Sequence, residues 1–139
     1  MLLPRHPGLP APQTLLQRSA AGDRVSLLYA AEGERPAIED ADVGLLVTQF
    51  PGAMERDMLE KLAHEPSQVS PVTVDGLAAW WIDGAHSILY VAPDGQVVEE
   101  PLRLASSTLV WHRDGVTFRL ESALDLERTV EIAESMTRR

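Results

Sequence analysis

Thr108-Leu109-Val110-Trp111-His112-Arg113-Asp114-Gly115-Val116-Thr117-Phe118-Arg119-Leu120-Glu121 decides how this chain folds. At its centre, Asp114-Gly115 is a strong hairpin signal, because a type I′ turn needs positive φ at both central residues. A two-residue loop there sets Trp111 opposite Phe118 and Leu109 opposite Leu120. The other face then carries Val110 opposite Arg119 and Thr108 opposite Glu121. One face is aromatic and aliphatic and the other mostly polar, as burial on one side requires. A slip of one residue would mix the two sets.

Asp-Gly recurs upstream at Asp75-Gly76, Asp83-Gly84 and Asp94-Gly95, between runs rich in Val, Ile, Leu, Trp and Tyr. The spacing predicts a meander of antiparallel strands from about Val69 to Glu121. The same register rule pairs Val74 with Leu77 and Val72 with Ala79 around the first turn. Around Asp94-Gly95 it pairs Val91 with Val98.

Outward from the meander, Val43-Gly44-Leu45-Leu46-Val47-Thr48-Gln49-Phe50 is nearly all apolar and predicts a central strand covered on both faces. Val25 to Ala31 predicts another strand, with Val25, Leu27 and Tyr29 on one face. The polar stretch from Gly33 to Asp42 predicts a loop. Met54, Met58, Leu59 and Leu62 predict a helix over Met54 to His64, which Pro66 stops. Asp125 is a good N-cap, and Leu126, Val130, Ala133 and Met136 predict a second helix from Asp125 to Met136. Its polar side holds Glu127, Arg128, Glu131 and Glu134.

The first residues carry Pro4, Pro7, Pro10 and Pro12, which block helix and ladder bonding. Residues 1–22 are expected as a Pro-rich arm, either free or lying along a sheet edge, with one short helical turn through Leu15, Leu16 and Ala20. Residues 23–139 are expected as a single domain. The fold class is α+β: an antiparallel β-meander sheet of about six to eight strands with one or two helices on one face.

The chain has 139 residues, 45% hydrophobic and 24% charged, enough for one core. Its net charge is −9, from 21 acids and 12 bases, and Lys61 is the one lysine. Scattered arginines in an acidic chain disfavour nucleic acid and anionic membrane surfaces as partners. Cysteine is absent, which removes disulfides, thiolate metal sites and cysteine nucleophiles together. No apolar run approaches the ~20 residues of a membrane helix, and the start is too short and too Pro-broken for a signal peptide. Membrane association is expected only through an anchor outside this sequence.

No motif specifies catalysis. Asp83 and His86 form a conceivable acid–base or metal pair, but a turn with a half-buried His is the plainer reading, since no third ligand is marked. His112 falls on the polar face of the last hairpin, and surface histidine is the default there. His6 and His64 have no partner at metal-ligand spacing. Glu99 and Glu100 are consecutive, so a strand points them to opposite faces. Ser106, Ser107 and Thr108 lack a nucleophile elbow. No metal ligands, cofactor fingerprint or catalytic residues are assigned. Trp80, Trp81, Tyr90 and His86 are the candidate contacts to a ligand or partner. Trp80 and Trp81 are adjacent, so one enters the core while the other needs cover from a helix, a partner or a ligand.

Val43 to Phe50, Val74-Asp75-Gly76, Trp81-Ile82-Asp83-Gly84-Ala85-His86, Leu89-Tyr90, Arg103-Leu104-Ala105, Thr108 to Trp111 and Thr117 to Glu121 occur in that order. Together they resemble an uncharacterised group of bacterial domains of the DUF4367 type, found mainly in actinobacteria and Chloroflexi. The resemblance covers roughly residues 24 to 136. Members usually lie outside the membrane, C-terminal to a single transmembrane segment, and some resemble anti-sigma factors. Two departures stand out: Ser106-Ser107 replaces a usual Gly-Asn, and Ala78 or Ala79 stands where Gly is frequent. The resemblance carries over no catalytic or binding residue. It implies a non-enzymatic extracytoplasmic sensor or interaction domain with a protein partner. The alternative is a carrier of an apolar, lipid-like small molecule held between sheet and helix.

Overall fold

The computed structural model describes residues 1–18, 22–33, 35–38, 42–52, 69–83, 88–91, 95–100 and 107–138. A seven-stranded antiparallel sheet is built from β2 (Gln13–Gln17), β3 (Arg24–Ala30), β4 (Val43–Pro51), β5 (Val69–Val74), β6 (Leu77–Asp83), β9 (Ser107–Arg113) and β10 (Val116–Ser122). Their spatial order is β2-β3-β4-β10-β9-β6-β5. β7 (Ile88–Val91) and β8 (Val97–Glu100) form a separate two-stranded ladder. β1 (Leu2–Pro4) pairs with β11 (Met136–Arg138), so the two ends of the chain clasp one another. A single helix, α1 (Leu126–Glu134), is found among the described residues. The helix expected over residues 54–64 lies outside them.

The hairpin at Asp114-Gly115 has the expected register: Phe118 faces Trp111, Leu120 faces Leu109, Arg119 faces Val110 and Glu121 faces Thr108. Asp114 and Gly115 take φ of 52° and 80°, and Asp75 and Gly76 take 51° and 76°. Both are left-handed pairs, as a type I′ turn requires. Val74 faces Leu77 and Val72 faces Ala79, as expected. Val43 to Phe50 is the inner strand it promised to be, buried on both faces from Gly44 to Phe50.

Two features of the meander differ. β6 pairs directly with β9, so β7 and β8 are a hairpin inserted between sheet neighbours and not two further strands of the sheet. In that hairpin Val91 faces Val97 and Tyr90 faces Val98, one residue away from the expected Val91–Val98 pair. The reason lies in Pro93. A two-residue loop at Asp94-Gly95 would pair Pro93 with Gln96 and ask Pro93 for an N–H that it lacks. Gly95 is left-handed at φ 85°.

One face of the sheet and the inner side of α1 share the main core: Leu27, Tyr29, Leu45, Val47, Leu109, Trp111, Phe118 and Leu120 meet Ile132, Ala133 and Met136. Trp111 and Phe118 stack there, 5.2 Å between ring centroids and 13° between planes. Asp125 caps the helix, its Oδ1 accepting from the Arg128 amide at 2.9 Å. The inward residues are Thr129, Ile132 and Ala133; the helix stops at Glu134, and Met136 opens β11 where a continued helix was expected. Pairing with β1 supplies backbone partners that another helical turn would have used.

The face read as polar is also buried. Arg119 and Glu121 both have 0% exposure and form an ion pair, Nη2 to Oε2, at 3.3 Å. Thr48, Val110 and Thr108, their cross-strand neighbours, are equally closed to solvent. Sequence polarity predicted exposure. Burial instead follows from the central position of β10, and pairing the two charges offsets the cost of desolvating them.

Candidate functional site

The described surface departs most from a sealed sheet at β2. Pro10 and Pro12 deliver the chain in an extended form, and Gln13–Gln17 then pairs with β3 without a register break. The helical turn expected through Leu15 and Leu16 is therefore a strand, and Ala20 lies outside the described residues. Of the two alternatives for the Pro-rich arm, the chain takes the sheet edge.

All five residues of β2 are exposed, Leu15 at 44% and Leu16 at 53%. Leu15 shares a face with Gln13 and Gln17, while Thr14 and Leu16 lie on the other. No described strand flanks the outer side of β2. Edge strands are usually guarded by charge, by Pro within the strand, or by a bulge. Gln-Thr-Leu-Leu-Gln has none of these. What such an edge offers chemically is a row of main-chain donors and acceptors beside apolar side chains, the recognition surface for another extended strand. Sequence reading allowed an arm along a sheet edge but gave Leu15 and Leu16 to a helical turn, because two adjacent leucines suit a helix as well as a strand. The available signal was the Pro run, which sets the entering chain extended.

A second feature is a cleft of about 280 Å³ between residues 6–9, the turn at residues 32–35 and α1. Arg35, 8% exposed, holds its walls together. Its Nε donates to the Ala30 carbonyl at 3.1 Å and its Nη1 to the Gly8 carbonyl at 3.3 Å, while Nη2 lies 3.6 Å from Glu32 Oε2. His6 Nε2 stands 3.8 Å from Glu131 Oε2 across the mouth. Cations and carboxylates alternate around this cleft, so it offers no single sign of charge to a ligand and reads as a clamp on the N-terminal segment.

A third is a broad open groove of about 950 Å³ with an apolar floor that includes Leu2, Val25, Phe118 and Met136. It lies beside the β9–β10 turn, and neither Trp80 nor Trp81 is among its described lining residues.

Of the four predicted contact residues, the two tryptophans lie on opposite faces. Trp80 faces Val110 and Pro71 on the far side of the sheet, and Trp81 packs against the main core on the helix side. Being on opposite faces, they cannot line one pocket. Tyr90 belongs to the β7 backbone, and His86 lies outside the described residues. His112 is half-buried, its Nδ1 3.4 Å from Thr117 Oγ1, which itself donates to the Gly52 carbonyl at 2.7 Å. Among the described residues no three His, Asp or Glu side chains gather to hold a metal ion, and no helix is long and apolar enough to cross a membrane. Comparison with protein-family models, with curated proteins and with solved structures finds no match.

Proposed function

We propose that this is a non-enzymatic interaction domain that recognises a protein partner by adding an extended strand to β2. The observation that carries this reading is an uncharged edge strand, exposed along its whole length, with Leu15 and Leu16 open to solvent. An extended segment laid there continues a seven-stranded ladder and covers both leucines. Placement of the domain on the extracytoplasmic side of a bacterial membrane, in a sensory role, is supported by the resemblance to DUF4367-type domains.

The test is a titration of the labelled domain with a capped synthetic peptide of alternating Thr and Val. The amides of Gln13–Gln17 are expected to shift and to exchange more slowly. Shifts confined to other strands, or none at all, would remove the reading.

A carrier of an apolar small molecule is the second reading, favoured by the groove over Leu2, Phe118 and Met136. The space between α1 and the sheet is filled by Ile132, Ala133, Trp111 and Phe118, so the groove at the sheet end is the place for such a ligand. Phe118 lines that groove and stacks on Trp111. Tryptophan emission on adding lysolipid micelles therefore reports occupancy, and emission unchanged by them would dismiss the carrier.

A further inference from the structure

Building on the reading of β2 as a strand-binding edge, we propose that its occupant is β2 of a second copy of this chain, paired antiparallel about a twofold axis perpendicular to the sheet.

Symmetry limits how two identical edges can meet. That axis keeps the sheet continuous and returns each face to itself, so a residue can face only itself or one an even number of positions away. One such register pairs all five residues. It sets Leu15 against the partner's Leu15, Gln13 against the partner's Gln17 and Thr14 against the partner's Leu16. The strand Gln-Thr-Leu-Leu-Gln reads nearly the same from either end. Three of the five contacts are consequently matched in kind. Amide meets amide, each able to donate and accept. Leucine meets leucine on one face, and threonine meets leucine on the other.

Charge opposes self-association least at an uncharged edge. At a net charge of −9 two copies repel over most of their surfaces, and β2 contributes nothing to that repulsion. The seam is nonetheless short. Five residues a side fall below the roughly 1,200 Å² of a stable complex, so association is weak and depends on concentration.

Sedimentation velocity across about 10 μM to 1 mM, the range of weak dissociation constants, tests the pairing. The average mass is expected to rise from 15.2 kDa toward twice that value. Because Leu15 faces its own counterpart, Leu15→Lys and Leu15→Glu each place like charges across the axis. Each variant alone is expected to stay monomeric, and an equimolar mixture is expected to associate again. Leu15 is exposed, and unchanged far-UV circular dichroism checks that both variants fold. A wild-type chain that stays monomeric at 1 mM overturns the inference. So does a mixture that stays monomeric while wild type dimerises, because the seam then lies elsewhere. If wild type stays monomeric yet the Thr-Val peptide protects β2, the strand-binding reading stands and only its occupant is wrong.

Discussion

Gln49 holds the backbone of Leu2 from both sides. Its Oε1 accepts from the Leu2 amide at 2.8 Å, and its Nε2 donates to the Leu2 carbonyl at 2.7 Å. A side-chain amide thus stands in for a strand partner and ties β1, with β11 behind it, to the main sheet. Gln49→Ala removes both bonds and is expected to cost about 1–3 kcal/mol. Gln49→Glu keeps one acceptor but sets a buried carboxylate oxygen against the Leu2 carbonyl, so its loss is expected to be at least as large. Urea unfolding measures the size, and amide exchange at Leu2 and Leu3 localises it.

Trp111 and Phe118 are both 2% exposed and stacked. Truncating either to Ala is expected to cost about 3–5 kcal/mol. The double variant loses less than the sum, with a coupling of about 0.5–1.5 kcal/mol from the ring pair. Chemical denaturation of the four-member cycle measures it. Strict additivity would mean that the stack contributes only buried area.

Gly44 sits where β4 passes the turn at Arg35. A β-carbon there would meet the Arg35 carbonyl oxygen at 2.9 Å and the Ala31 Cα at 3.0 Å. Both are backbone atoms, so neither can swing aside. Gly44→Ala is expected to destabilise by about 1–3 kcal/mol, as overpacking does, although Ala suits a strand better than Gly. A rise in thermal midpoint would show that the turn yields.

Tyr29 gives stability a pH dependence. Burial raises its phenol above the ordinary value of 10.0, with the Arg35 guanidinium pulling weakly the other way. The folded chain therefore holds this proton more tightly than the unfolded chain. Its contribution is complete below pH 10.0 and is lost as pH climbs through the higher folded value. Tyr29→Phe should flatten the fall in unfolding free energy above that pH while leaving the neutral range nearly level. An unaltered alkaline slope would assign the fall to other groups.

Local chemistry made much of this protein legible before any tertiary contact. Asp75-Gly76 and Asp114-Gly115 require left-handed turns, the alternation around Trp111 and Phe118 sets a register, and Asp125 marks a helix start. These signals act within a few residues, where sterics and side-chain period decide. The missed register of β7 and β8 was also within reach, through the N–H that Pro93 lacks. Which strands become neighbours was not. Ladder hydrogen bonds are chemically alike, so nothing in β4 names β10 as its partner, nor in β6 names β9 across the inserted hairpin. Only the closing of the sheet made those choices. The same closure drew Arg119 and Glu121 out of water despite their charge and left Leu15 and Leu16 in it despite their apolar side chains. Exposure depends on a strand's place in the sheet, centre or edge, and a side chain's own hydropathy does not set that place.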